Sequence, residues 1–308
     1  MMPRLAPTSA ALVLALALSS ACARPRTPGP EDLVTGPVRV RVGVVDPAPL
    51  DATLHAAPRT VADRTEYLVD LFWQQGCLGE DLEIAKRRSA SNPDVLCTLP
   101  GRIGQRIVVV AHIEGAARDS GIPEHWSGIA LLPSLYRALE AVPREHSFVF
   151  AALGGSPRGP DTRAYLERLG NAPGQEVRAI VDLQDVDPAT LWFTSADAGL
   201  RRDLVSASVA VGRPLDTLRA FRLRELEKHP APVVSPSRAA IPSITIESDP
   251  PPAARQSRPP AAVSAPLETR ASATYSETAR LLAVFLGYLD ETLRLRAEHQ
   301  EEDAAPAR

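Results

Sequence analysis

Along this chain, runs of apolar residues alternate with segments of helical spacing. Val38 to Val45 (VRVRVGVV) alternates apolar with basic residues and then ends apolar, which predicts an edge strand with one wet face. Thr60 to Gly76 carries Val61, Leu68, Leu71 and Phe72 near helical spacing. Thr60 is placed to cap that helix and Gly76 to end it. Short strands are predicted over Leu82 to Lys86 and Val95 to Leu99. A Pro100-Gly101 turn leads into Arg106 to His112 (RIVVVAH), β-branched through its middle, as a strand covered on both faces should be. Ile129 to Leu139 predicts a helix, Glu145 to Leu153 (EHSFVFAAL) a buried strand, and Pro160 to Gly170 a helix. Val177 to Leu183 and Leu191 to Thr194 read as strands, Asp197 to Val211 as a helix, and Ile241 to Ile246 as a late buried strand. Ser272 to Ala297 is a long amphipathic helix with Leu281, Leu282, Phe285, Leu289 and Leu293 on one face.

Strands alternating with helices predict an α/β fold in three layers, a mostly parallel mixed sheet with helices on both faces. His112 falls where its strand leaves the sheet, the edge at which ligands bind in open α/β sheets. No internal repeat is visible. The 308 residues suffice for one large domain, predicted over 38–297, with a Pro-rich loop at 249–268 and a charged tail at 298–308. A formal charge of −3, with no long basic run, argues against nucleic acid as a partner.

The N-terminus changes the picture of location. Arg4 precedes an apolar stretch, Ala11 to Leu18, far too short to span a bilayer, and Ser19-Ser20-Ala21-Cys22 follows. This resembles a bacterial lipobox with Cys22 as the lipidated first residue, although Ser19 stands where leucine is usual. Residues 1–22 are then a lipoprotein signal peptide and 23–37 a Pro-rich tether. The partner implied is the membrane, through a lipid anchor, and the location is the exported side of a bacterial cell envelope. The alternative is an ordinary cleaved signal peptide with a chance cysteine. Of the three cysteines, Cys77 and Cys97 remain as a pair that an oxidising compartment would close; two buried thiols are the alternative.

The stretch Asn92 to Leu132 carries a resemblance: NPDVLCTLPG, then RIVVVAHIEG, then PEHWSGIALL. It is similar to the core of the M28 zinc aminopeptidases, whose pattern is roughly N-V-x-A-x-L-P-G, a strand, H-x-D, then D-N-x-S-G and a helix. The similarity runs to about Leu289. The resemblance implies an aminopeptidase fold and a cleft holding two zinc ions, bound by a His, a bridging Asp, a Glu, a second Asp and a final His. A second Glu acts as base beside them. Two zincs polarise a peptide carbonyl and acidify a water, and the base takes its proton.

Carried over residue by residue, the set is incomplete. His112 matches the first histidine, and Glu114 keeps a carboxylate in H-x-D. Glu124 stands at the bridging Asp, one methylene longer, and His125 replaces the Asn that follows. Gly154-Gly155 occupy the Glu-Glu positions, so a ligand and the base are both lost. The second Asp aligns with Gln184, with Asp185 one position off. No histidine lies between His229 and His299 to supply the last ligand. A serine-hydrolase elbow is excluded, since Arg158 stands where G-x-S-x-G needs its second glycine. His112, Glu124 and Asp185 are thus a vestigial metal set, and no cofactor is expected. Trp126, Arg158 and Arg163 are candidates for the cleft mouth.

Three functions compete: a catalytically degenerate, M28-like lipoprotein that binds a peptide, a protein or an envelope component in the former cleft; a zinc-dependent aminopeptidase or other hydrolase with an altered site; and a purely structural envelope protein.

Overall fold

The computed structural model describes residues 31–35, 38–86, 92–113, 126–155, 165, 176–184, 186, 191–195, 197–212, 241–247 and 272–304. The expected signal peptide with Cys22, the helix expected over 160–170 apart from Tyr165, and the expected Pro-rich loop at 249–268 lie outside them.

The alternating run near the N-terminus behaves as its pattern dictates, in a different partnership. β1 (Glu31–Thr35) and β2 (Val38–Val42) pair antiparallel as a ribbon apart from the main sheet. Val38, Val40 and Val42 are buried, and Arg39 and Arg41 stay wet. The expected edge strand is therefore a two-stranded ribbon, whose apolar side packs on the last helix.

The main sheet has seven strands, β3 (Leu82–Ala85), β4 (Asp94–Leu99), β5 (Arg106–His112), β6 (Ser147–Leu153), β7 (Val177–Leu183), β8 (Trp192–Thr194) and β9 (Ser243–Glu247). Their order is β3-β4-β6-β5-β7-β9-β8. The central four, β6, β5, β7 and β9, run parallel, and β3, β4 and β8 complete the sheet antiparallel. The mixed α/β architecture is the one expected. The near-continuous apolar runs of β5 and β6 are what central strands covered on both faces require.

Five helices are described: α1 (Pro47–His55), α2 (Val61–Gln74), α3 (Trp126–Glu140), α4 (Ala198–Ala210) and α5 (Ser272–Ala304). Thr60 caps α2 through Oγ1, which accepts from Asp63 N at 3.1 Å, and Gly76 follows at φ 97°. Sequence reading missed α1. Its start signal is present: Asp46 accepts from Ala48 N at 3.0 Å, and Pro47 sits in the first turn, where a missing N–H costs nothing. All five helices bury residues in one core with Ile107, Val109 and Ala111 of β5, Phe148 and Phe150 of β6, and Val181 and Leu183 of β7. Among the described residues the opposite sheet face has a smaller apolar set, including Val108, Val110, Ala151 and Ile180, with Tyr165 packed on it.

Two long-range ties fix the frame. Cys77, just past α2, is bonded to Cys97 of β4, with Cα atoms 6.2 Å apart, so the pair is a disulfide and not two free thiols. On α5, Asp290 Oδ1 accepts from His146 N and His146 Nδ1, each at 2.8 Å, and Oδ2 accepts from Glu145 N at 2.9 Å. One buried carboxylate thus fastens the C-terminal helix to the start of β6.

Candidate functional site

The parallel strands end together at the edge where an open α/β sheet binds ligands. Register brings three chemical groups to one side of that edge. Val110 of β5 lies opposite Asp182 of β7, so His112, two residues on, faces the same way as Asp182 and lies diagonal to it. His112 lies opposite Leu153 of β6, which places Gly154-Gly155 just beyond. Residue 184 continues from β7 with the facing of 182.

His112 is at a strand end, as expected, and its side chain is buried. Its Nδ1 donates to the Gly155 carbonyl at 3.2 Å, and its Nε2 faces Asp182 Oδ1 at 3.3 Å. Asp182 is itself buried, and its other oxygen accepts from Gln184 Nε2 at 2.6 Å. Gln184 N donates to Ile246 O of β9 at 2.9 Å. A carbonyl only accepts, so the ring proton of a neutral His112 sits on Nδ1. Nε2 then faces a carboxylate oxygen, a contact that is favourable only with a further proton, or a cation, between the two. One oxygen of the buried Asp182 carboxylate is thus satisfied by Gln184, while the other lies against His112 Nε2.

Asp182 is the residue that sequence reading missed. It sits inside a run taken as plain core strand, two positions before Gln184, where the second Asp of the pattern was aligned. The available signal was physical: an acid in an otherwise apolar buried strand needs a partner. Asp185, Glu114, Glu124, His125, Arg158 and Arg163 lie outside the described residues.

Gly154 and Gly155 are the residues aligned with the Glu pair of the resembled pattern, and the first of them is tightly enclosed. A Cβ built on Gly154 would lie 2.3 Å from Asn92 O and 2.6 Å from Pro93 O. The segment leading into β4 runs directly over this residue. Gly154 N donates to Asp94 Oδ1 at 2.8 Å, and Asp94 is fully buried. No side chain fits at 154 without displacing backbone. At 155 the carbonyl is engaged with His112. Gly128, in the first turn of α3, shows the same economy: a Cβ there would lie 2.5 Å from Leu183 O, so the helix start presses on the end of β7.

Behind His112, α2 contributes a buried guanidinium. Arg64 donates to Ile113 O at 3.1 Å, Pro58 O at 3.0 Å and Arg59 O at 3.2 Å. Burial pushes its pKa below the ordinary arginine value. Trp126 does not line the cleft mouth. It is buried in the core, donates from Nε1 to Thr53 O at 3.1 Å and lies against Tyr67. Its large apolar surface outweighs the polar residues beside it in sequence.

The described residues do not by themselves supply a two-zinc centre, and Glu114, Glu124, His125 and Asp185 lie outside them. Two zincs need five ligands and a base. His112 and Asp182 are the candidate ligands that meet, and among the described residues no three of His, Cys, Asp and Glu converge. The 3.3 Å between Nε2 and Oδ1 does equal the spacing of about 3.3 Å that two ligands subtend on a tetrahedral zinc with bonds of about 2.0–2.1 Å.

No family model matches the sequence, and no curated protein is similar to it in sequence. The likeness lies in the fold. The LapA aminopeptidase of Legionella pneumophila superposes with a TM-score of 0.56 at 15% identity, over 80% of this chain and 72% of that one. A glutaminyl cyclase from Fimbriiglobus ruber gives 0.53 at 14% identity, over 86% and 99%. A leucine aminopeptidase precursor from Bacteroides thetaiotaomicron gives 0.52 at 13% identity, over 80% and 98%. The chain therefore has the aminopeptidase-like α/β fold that these aminopeptidases and this glutaminyl cyclase share.

Proposed function

We propose that this protein is a catalytically degenerate, aminopeptidase-like lipoprotein of the cell envelope. It is anchored through Cys22 and uses the former active-site cleft to bind a peptide, a protein or an envelope component. The observation that carries the reading is the closed position at Gly154. A glutamate there is not merely absent; the Asn92–Pro93 backbone occupies the room its Cβ would need. Loss of a general base typically costs 10²–10⁴-fold in rate, and loss of metal ligands compounds it. The strand edge is present with its scaffold, while Gly154, Gly155 and Gln184 stand at three positions that the resembled pattern gives to acidic residues.

A second reading has one observation in its favour. His112 and Asp182 stand at the separation of two ligands on one tetrahedral ion, so a hydrolase with a single, altered zinc is the alternative. One experiment separates them. The full chain, expressed with its own N-terminus and purified in detergent with zinc present, is analysed for bound metal and for cleavage of aminoacyl-nitroanilides. The expected result is metal well below one equivalent and no turnover above background. Near-stoichiometric zinc, with turnover that disappears in His112→Ala, overturns the proposal.

A further inference from the structure

We infer that the outer edge of β3 is a contact surface for a second copy of this chain. The two β3 strands pair antiparallel across a two-fold axis, so that one sheet runs through both molecules. β3 ends the sheet, and among the described residues it pairs with β4 alone, so its other row of N–H and C=O groups faces outward. The apolar side chains beside that edge are exposed. Leu82 lies opposite Cys97 and packs against the larger core, while Ile84, two residues on with the same facing, is 53% exposed. Leu78 follows Cys77, which the disulfide holds to Cys97, and is also exposed. Trp73 stands in the last turn of α2, which packs beside β3, and is 64% exposed. Among the described residues, three of the four exposed large apolar side chains thus belong to this corner. Single exposed apolar residues are ordinary; three gathered at one open sheet edge mark an interaction site.

The charge order along the edge points to the chain itself as the partner. Gly79 to Arg88 reads GEDLEIAKRR, with Glu80, Asp81 and Glu83 before Ile84 and Lys86 after it. Arg87 and Arg88, next in sequence but outside the described residues, carry the same charge as Lys86. An antiparallel copy lays the basic end of each strand along the acidic end of the other; a parallel copy would set like charge beside like. For two neighbouring antiparallel strands the two-fold axis must be normal to the sheet, so each residue opposes one of the same facing and the pair is centred on a residue. Centring on Glu83 would set that carboxylate opposite its own copy, and centring on Ala85 would set Ile84 opposite Lys86. Centring on Ile84 sets Ile84 opposite itself and the apolar stem of Lys86 over Leu82 of the other copy. Such a contact uses the same patch on both molecules, so it closes at two copies.

The test uses the full chain in detergent, by sedimentation velocity over a range of concentrations and by oxidative cross-linking. The wild type is expected to pass from monomer to dimer as concentration rises. Ile84→Lys places two ammonium groups opposite each other on the axis and should raise the dissociation constant about tenfold or more. Its Tm should stay within a few degrees of wild type, since the side chain it replaces is exposed. Lys86→Glu removes the basic end that meets the acids and should weaken the dimer as well. On mild oxidation Ile84→Cys should yield a covalent dimer, whereas Val209→Cys, on α4 and 63% exposed, should not. A chain that stays monomeric throughout overturns the inference. So does a dimer that Ile84→Lys or Lys86→Glu leaves intact, or cross-linking as strong at 209 as at 84. Should Ile84→Lys fail to fold, the cross-linking comparison decides alone. None of these outcomes depends on whether the cleft binds a metal.

Discussion

Replacing Gly154 by alanine is the sharpest probe of this cleft, because one methyl group tests whether the glutamate position is closed. The added Cβ would sit 2.3 Å from Asn92 O and 2.6 Å from Pro93 O. Ordinary carbon contacts need about 3.5 Å, so the Asn92–Pro93 backbone must retreat by roughly 1 Å. That movement also stretches the 2.8 Å bond from Gly154 N to the buried Asp94 carboxylate. Overpacking of this kind costs about 1–3 kcal/mol. Weakening a buried hydrogen bond to a charged acceptor adds about 1–3 kcal/mol. The sum, about 2–6 kcal/mol, corresponds to a Tm lowered by roughly 4–24 °C. The control is Gly76→Ala. Gly76 has φ 97° and nothing within 4 Å of a Cβ, so its substitution carries only backbone strain of about 1–2 kcal/mol. Both variants would be compared by thermal melts and urea midpoints. If Gly154→Ala is no more harmful than Gly76→Ala, the position has room, and a glutamate there was lost by drift rather than by closure. In that event Gly154→Glu becomes a sensible attempt at repair; on the geometry described, it should destabilise at least as much as alanine and restore no activity.

Three further outcomes are expected. Reducing the Cys77–Cys97 bond, or replacing both cysteines by alanine, should cost about 3 kcal/mol for a closed loop of this size; urea midpoints with and without reductant read the difference. Asp203 on α4 accepts from Arg296 and Thr292 of α5, yet burial raises its pKa above the ordinary carboxylate value. A raised folded-state pKa means that the folded protein keeps a proton the unfolded chain has released. That contribution is present in acid and fades as pH rises from about 4 through the raised value. Asp203→Asn should therefore gain stability relative to wild type across that rise, and a gap that shrinks or stays flat with pH would refute the assignment. Finally, Cys22→Ala should release the protein from the membrane fraction, and the wild type should incorporate labelled fatty acid; an unlabelled, membrane-bound wild type would sink the lipidation proposal.

How far the sequence went depended on which force set each element. β5, β6 and β7 were legible because burial on both faces writes an uninterrupted apolar run. α2 was legible because its cap and spacing are both local. α1 was not, since Pro47 and Pro49 read as breakers unless Asp46 is recognised as the cap before them. Partnership was also hidden: the alternation of Val38 to Val42 states that one face is wet, but not which strand pairs with it, and the answer is β1. At the site, His112 stood out because a histidine closes an apolar strand. Asp182 did not, because its meaning comes from the diagonal neighbour on β5, which only register reveals. The closure over Gly154 was invisible in the same way. Two glycines in sequence give no sign that a backbone 60 residues earlier has moved onto them.

The two faces of the sheet bear on how such a fold could outlive its chemistry under the proposed reading. Side chains along a strand alternate, so Ala111, Val181 and Leu183 point into the larger core with all five helices, while Val110, His112 and Asp182 point the other way. Among the described residues the five helices α1–α5 pack on one face, and the groups at the cleft edge lie on the other. Ligand positions can therefore change without repacking the larger core, which is where most of the buried apolar area lies. What such a change does threaten is the strand ends themselves. They hold buried polar groups and have a thinner apolar layer beneath them, so each lost ligand must be replaced by a partner or closed over by backbone. Both remedies are present here: Gln184 beside Asp182, and Asn92–Pro93 over Gly154. A site abandoned to drift would be expected to show unsatisfied polar groups or room for the missing side chain. The enclosure at Gly154 and the pairing of Asp182 with Gln184 are what the proposed retention of the cleft as a binding surface predicts.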